Sequence, residues 1–158
     1  MLVQLNQTSA PRDFSITATG LPVNPSTVPA RSRGPRPVVA VLGRPGRVAG
    51  LAHHLPGGWS LRQPDGFDDV RPGEIVLLGG TSVHEVGLAR AVLPARTRVV
   101  ALVDDEAPPE VVAGVLTAGA DVCVRGGQPA ILAGHLVACR RRDLAQRWAS
   151  IDADRIPI

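Results

Sequence analysis

The chain has 158 residues, 44% of them hydrophobic and 20% charged, which suits one globular domain with a tail. The formal net charge is +3 and all 17 basic residues are Arg, so bulk positive charge does not point to nucleic acid. No apolar run approaches the roughly 18 to 20 residues that cross a bilayer, and the N-terminus lacks a charged segment followed by an apolar one, so a cytoplasmic location is expected.

Residues 1–36 are rich in Ser, Thr, Pro, Asn and Gln and end in an Arg/Pro-rich stretch. Such a segment buries too little apolar surface to offset its ordering entropy, and a disordered tail is expected. Within it, Phe14 to Thr17 would form a short strand if a partner supplied an edge. The pattern changes at Val38. Val38 to Leu42 is a β-branched run of the kind buried on both faces of a parallel sheet. A helix is predicted over Gly46 to Leu55, with Val48, Leu51, Ala52 and Leu55 at helical spacing and Pro56-Gly57-Gly58 ending it.

Trp59 to Arg62 reads as a second strand, followed by at most a helical turn over Phe67 to Val70. Glu74 to Leu78 is the third strand, closed by Gly79-Gly80. Ser82 and Glu85 form a capping box that opens a helix reaching about Leu93. Arg98 to Val103 is the fourth strand. Pro108-Pro109 opens a helix over Glu110 to Ala118, with Val111, Val112, Val115 and Leu116 inward. Asp121 to Val124 is the fifth strand. Pro129 opens a last helix, on which Leu132, Leu136, Cys139, Leu144 and Trp148 trace one apolar face.

Five β-α units predict an α/β fold: a doubly wound (βα)5 parallel sheet of order 2-1-3-4-5, flavodoxin-like. The second helix should be short or missing, because the link from Leu61 to Glu74 is too brief for one. That side of the sheet should be thin, exposed, or covered by the tail or a partner. The domain is placed at 37–148, with 149–158 as a C-terminal tail. Aromatics are only 3% of the chain, so the core must be built from Val, Leu, Ile and Ala. Cys123 and Cys139 lie in apolar segments and read as buried reduced thiols.

Several polar groups are candidates for a site. Asp104-Asp105-Glu106 stands at the carboxyl edge of the sheet, where open α/β sheets bind ligands, but consecutive side chains diverge and a solvated acidic loop is expected. Gly43-Arg44-Pro45-Gly46-Arg47 follows the first strand yet matches neither phosphate-loop pattern, and no Lys exists to meet phosphates. His53, His54, His84 and His135 lack metal-ligand spacing. Arg140, Arg141, Arg142 and Arg147 read as a solvated helix face with charge favourable near the helix C-terminus. No cofactor, metal or catalytic set is expected.

Val99 to Val103, then Ala118-Gly119-Ala120-Asp121-Val122-Cys123-Val124-Arg125, then a helix ending Cys139-Arg140-Arg141-Arg142, resembles the second half of a bacterial response-regulator receiver domain, the CheY-like family. Val38 to Leu55 and Glu74 to Leu78 are similar to its first half. Active receivers carry an Asp at the end of the third strand, an acidic pair after the first that holds Mg2+, a hydroxyl after the fourth and a Lys after the fifth. By that resemblance the acidic pair falls on Leu42 and Gly43, or Gly43 and Arg44; the phosphoacceptor on Gly79; the hydroxyl on Val103; and the lysine on Gly126, beside Arg125. Gly79 cannot accept a phosphoryl group, and Leu42, Gly43 and Arg44 cannot replace a carboxylate pair that holds a hard cation. The resemblance therefore implies a degenerate member, a pseudo-receiver that is not an enzyme and works by binding proteins.

Receivers dimerise or dock through their fourth helix, fifth strand and fifth helix. That face maps to Glu110–Ala118, Asp121–Arg125 and Pro129–Trp148, with Val112, Leu116, Arg125, Leu132, Leu136, Arg140 and Trp148 as candidate contacts. The implied partner is another protein or a second copy of the chain, with neither nucleic acid nor membrane bound by this chain alone. The alternative is a small-ligand or anion sensor at the carboxyl edge, lined by Gly43, Arg44, Gly79, Gly80, Asp104 and Gly126.

Overall fold

Five short runs become strands: β1 (Val38–Gly43), β2 (Ser60–Arg62), β3 (Ile75–Gly79), β4 (Arg98–Val103) and β5 (Val122–Arg125). The structure, a computed structural model, describes residues 34–155. All neighbouring strands are parallel, in the order β2-β1-β3-β4-β5. This is the predicted α/β doubly wound sheet. The helices are α1 (Leu51–His54), α2 (Val83–Val92), α3 (Pro109–Thr117) and α4 (Pro129–Ala153). The strand suggested at Phe14 to Thr17, and most of the 1–36 tail, lie outside the described residues.

Both sheet faces are covered, as continuous apolar strands require. On one face Val39, Val41, Leu77, Val100 and Leu102 pack against Leu51 of α1 and Leu132, Leu136 and Cys139 of α4. On the other, Ala40, Val76, Leu78, Val99, Ala101 and Val103 pack against Val86 and Ala89 of α2 and Val115 of α3. Successive strand residues alternate between these clusters because strand side chains point to opposite faces.

The first crossover departs from the continuous helix expected over 46–55. A 3-10 turn (Pro45–Val48) and the single turn of α1 flank a break, with Ala49 extended and Gly50 at φ +80°. Gly50 carries the low helix propensity and left-handed freedom that allow the break. The two pieces still deliver Val48 and Leu51 to the core, whereas Ala52 is exposed.

Between β2 and β3 the chain forms only a 3-10 turn (Phe67–Asp69) in place of a crossover helix, as the short link predicts. Half-buried Phe67 and Val70 cover that part of the sheet. The link is clamped by Arg62, which donates to both carboxylate oxygens of Glu74 at 2.9 and 2.8 Å and to Asp69 at 2.8 Å. Glu74 also accepts the Arg71 N–H, so this buried carboxylate is fully partnered. The Arg62 hydrogen bonds hold the Glu74 carboxyl below the usual carboxylate range, outweighing the opposite pull of burial.

At the far side, Asp121 of the Ala-Gly-Ala-Asp stretch ties the amino ends of β4 and β5. It accepts from Val99 N–H at 2.8 Å, Arg90 at 2.6 Å and Arg98 at 2.9 Å. Arg90 reaches from α2 and also donates to the Thr97 carbonyl.

The last helix corrects the sequence reading. It spans Pro129–Ala153, and its apolar residues do not form the one face expected of them. Leu132, Leu136 and Cys139 are 1%, 0% and 2% exposed, whereas Leu144 and Trp148 are 40% and 66% exposed. At 3.6 residues per turn these two point roughly 120° away from the buried stripe. They belong to a second stripe that faces away from the sheet.

Candidate functional site at the carboxyl rim

The rim is assembled from the chain just after β1, β3, β4 and β5. Gly43 and Gly79 are register partners at the ends of β1 and β3. The Arg44 N–H donates to the Gly79 carbonyl at 3.0 Å. A Cβ built on Gly79 would lie 2.9 Å from the Arg44 carbonyl oxygen, and one on Gly43 would lie 2.6 Å from the Gly79 carbonyl oxygen. The carboxyl end of β3 is thus closed by backbone from the chain at the end of β1.

The other rim positions differ in exposure. Val103 is buried at the end of β4. Gly126, at φ +72°, lies beneath the carboxylate of the exposed Asp105, which a side chain there would have to displace. Leu42 is half-buried, and Arg44 and Arg125 are exposed. The stem of Arg44 crosses Gly80, where an added Cβ would meet its Cδ at 3.4 Å. Arg47 forms an ion pair with Asp104.

Backbone donors at the rim are also spent internally. Gly80 and Thr81 N–H donate to the Leu102 carbonyl at 2.9 and 3.1 Å, and Gly126 N–H to the Val103 carbonyl at 3.1 Å. Thr81 is a rim residue that the sequence reading missed, although a hydroxyl two residues past a strand end is legible there. Its hydroxyl donates to Glu85 at 3.2 Å, and Glu85 accepts the Ser82 N–H at 2.8 Å, completing the expected capping box. The Arg47–Asp104 contact has no sequence signal, because the partners are 57 residues apart.

A shallow cleft of about 560 Å³ opens over this rim, lined among others by Arg47, Thr81, Asp104, Asp105 and Glu106. Its charge is three carboxylates against one guanidinium. Among the described residues, no three His, Cys, Asp or Glu side chains are placed to hold a metal ion. The thiols lie elsewhere: Cys139 is buried and Cys123 half-buried, and burial pushes both up from the ordinary thiol pKa.

The candidate interaction face divides. Leu116 and Trp148 are exposed, as is Arg125, and Val112 is half-buried. Leu132 and Leu136 are not surface residues: they pack under α4 against the sheet and cannot meet a partner. Arg140 retains 14% side-chain exposure and sits 3.7 Å from Asp143, so it is not a free cation either. Among the described residues no helix is long and apolar enough to cross a membrane.

Fold and rim together define a five-stranded doubly wound α/β domain with a glycine-lined carboxyl edge. No protein-family model matches the chain, and no curated protein matches it.

Proposed function

We propose that this chain is a phosphorylation-independent pseudo-receiver that regulates by docking other proteins, in bacterial signalling or transcription control. The single observation that carries the reading is the closed rim: Gly79 stands at the end of the third strand with the Arg44 backbone against it. The order of the sheet and the Ala-Gly-Ala-Asp stretch support the receiver likeness. The exposed Leu116, Arg125 and Trp148 support docking through the α3–β5–α4 side. An anion sensor is less well supported, because the rim amides are already bonded within the chain and the cleft carries net negative charge.

Incubation with radiolabelled acetyl phosphate and Mg2+ tests this. The expected result is no acyl phosphate on the wild type, and none on Gly79→Asp, whose new Cβ would press on the Arg44 carbonyl. Stable labelling of the wild-type chain would overturn the reading.

A further inference from the structure

The link from β2 to β3 crosses the sheet face that α2 and α3 cover, since Phe67 and Val70 pack with Ala40, Val76 and Val86. A full right-handed crossover there would lay a helix over β1, beside α2. Only the Phe67–Asp69 turn occupies that place, and the flank of α2 next to it is apolar and open. Val83 and Arg90 mark the opposite flank. A Cβ on Gly114 of α3 would lie 3.0 Å from Val83, and Arg90 donates to the Gly119 carbonyl. At 3.6 residues per turn, Leu88 and Val92 stand roughly 140–200° round the helix from those two. They are 47% and 51% exposed. Leu42, Phe67 and Val70, on the same sheet face, are only half-buried.

We infer that a basic amphipathic helix of another protein docks in this gap, taking the place of the missing crossover helix. Its apolar side covers Leu88, Val92, Phe67 and Val70, and its basic border faces Asp65 and Asp68. This surface is separate from the α3–β5–α4 side, and the inference does not depend on the pseudo-receiver reading.

The charge around the gap selects the partner. Residues 62–74 carry Asp65, Asp68, Asp69 and Glu74 against Arg62 and Arg71. Arg62 is committed to Asp69 and Glu74. Asp65 and Asp68 are exposed, and among the described residues neither forms an ion pair. On α2 itself both full charges are turned to their own chain, Glu85 in the capping box and Arg90 toward Thr97 and Asp121. The α2 of a second copy therefore brings no guanidinium to Asp65 and Asp68. Engaging the arginines of its α4 would make a head-to-tail contact, which propagates unless its rotation closes a ring. An anionic bilayer would meet the same two carboxylates and be repelled.

The test titrates the full chain into a fluorescein-labelled helical peptide of about 14 residues, four turns, with Leu on one face and Arg along its borders. A counterpart carries Glu in place of each Arg. So small an interface should bind weakly, with Kd roughly in the tens to hundreds of micromolar. The basic peptide should bind at least about 10-fold tighter than the acidic one, and the double variant Asp65→Asn, Asp68→Asn should erase that preference. Leu88→Ser should weaken binding about 5-fold or more, whereas Ile131→Ser, an exposed apolar residue on α4, should not. Both sites are exposed, so the melting temperatures of these variants should match wild type. Amide NMR shifts on peptide binding should cluster in residues 65–70 and 83–92. Failure of the basic peptide to bind, equal binding of both peptides, or shifts centred on the carboxyl rim would each overturn the inference. So would a dimer in sedimentation velocity that Leu88→Ser abolishes, which gives the gap to a second copy. Protection of residues 1–33 from proteolysis that Leu88→Ser removes would give it to the chain's own amino-terminal segment, and likewise overturn it. The acetyl phosphate experiment judges the pseudo-receiver reading separately.

Discussion

Replacing Gly43 with Ala isolates the contact that closes the rim. Gly43 has φ +85°, a left-handed conformation that costs a residue with a Cβ about 1–2 kcal/mol. The new Cβ would also stand 2.6 Å from the Gly79 carbonyl oxygen, a backbone atom held in register between β1 and β4. Relief requires β1 and β3 to separate at their ends, which weakens the 3.0 Å bond from Arg44 N–H to Gly79, worth about 1 kcal/mol. A destabilisation of about 3 kcal/mol is expected, lowering the melting temperature of a domain this size by roughly 10 °C. Gly46→Ala is the matched control, since a Cβ there meets nothing within 4 Å; it should stay within about 0.5 kcal/mol of wild type. Urea denaturation followed by circular dichroism measures both. If the two variants unfold at the same urea concentration, the backbone closure of the rim is refuted.

Asp121→Ala should cost about 2–3 kcal/mol, less than a fully buried ion pair because the carboxylate keeps 21% exposure; an unchanged urea midpoint would show that the Arg90–Asp121–Arg98 cluster does not hold the sheet edge. Glu74→Gln should destabilise the domain at neutral pH and progressively less in acid. The Glu74 carboxyl is held below its unfolded value chiefly by Arg62, so its contribution is present above the unfolded pKa and lost as pH falls through the lower folded one. The wild-type advantage should therefore shrink below about pH 4; a gap that stays constant from neutral pH into acid would contradict this assignment.

Much of the fold is legible locally. The run Val38-Val39-Ala40-Val41-Leu42 can be satisfied only by burial on both sides, and Ile75 to Leu78 and Val99 to Val103 repeat the demand. Ser82 and Glu85 mark a helix start through bonds spanning three residues. The brief link after Leu61 foretells the missing helix. Less legible is α1, where helical spacing of apolar residues coincides with a glycine that turns the chain. At the rim, glycine at 43, 79 and 126 is read directly, but what occupies the space above each is not. Arg44 backbone, Asp105 and the Arg47–Asp104 pair arrive there from separate loops.

Composition and periodicity by themselves determined the order of strands and helices and the two-sided burial of the sheet, because each depends on residues adjacent in the chain. Tertiary structure alone decided which stripe of α4 is core. Leu132, Leu136 and Cys139 and, about 120° round, Leu144, Trp148 and Ile151 are both apolar stripes at helical spacing. Only the sheet packed against one of them distinguishes the stripe that holds the domain together from the one left to face outward.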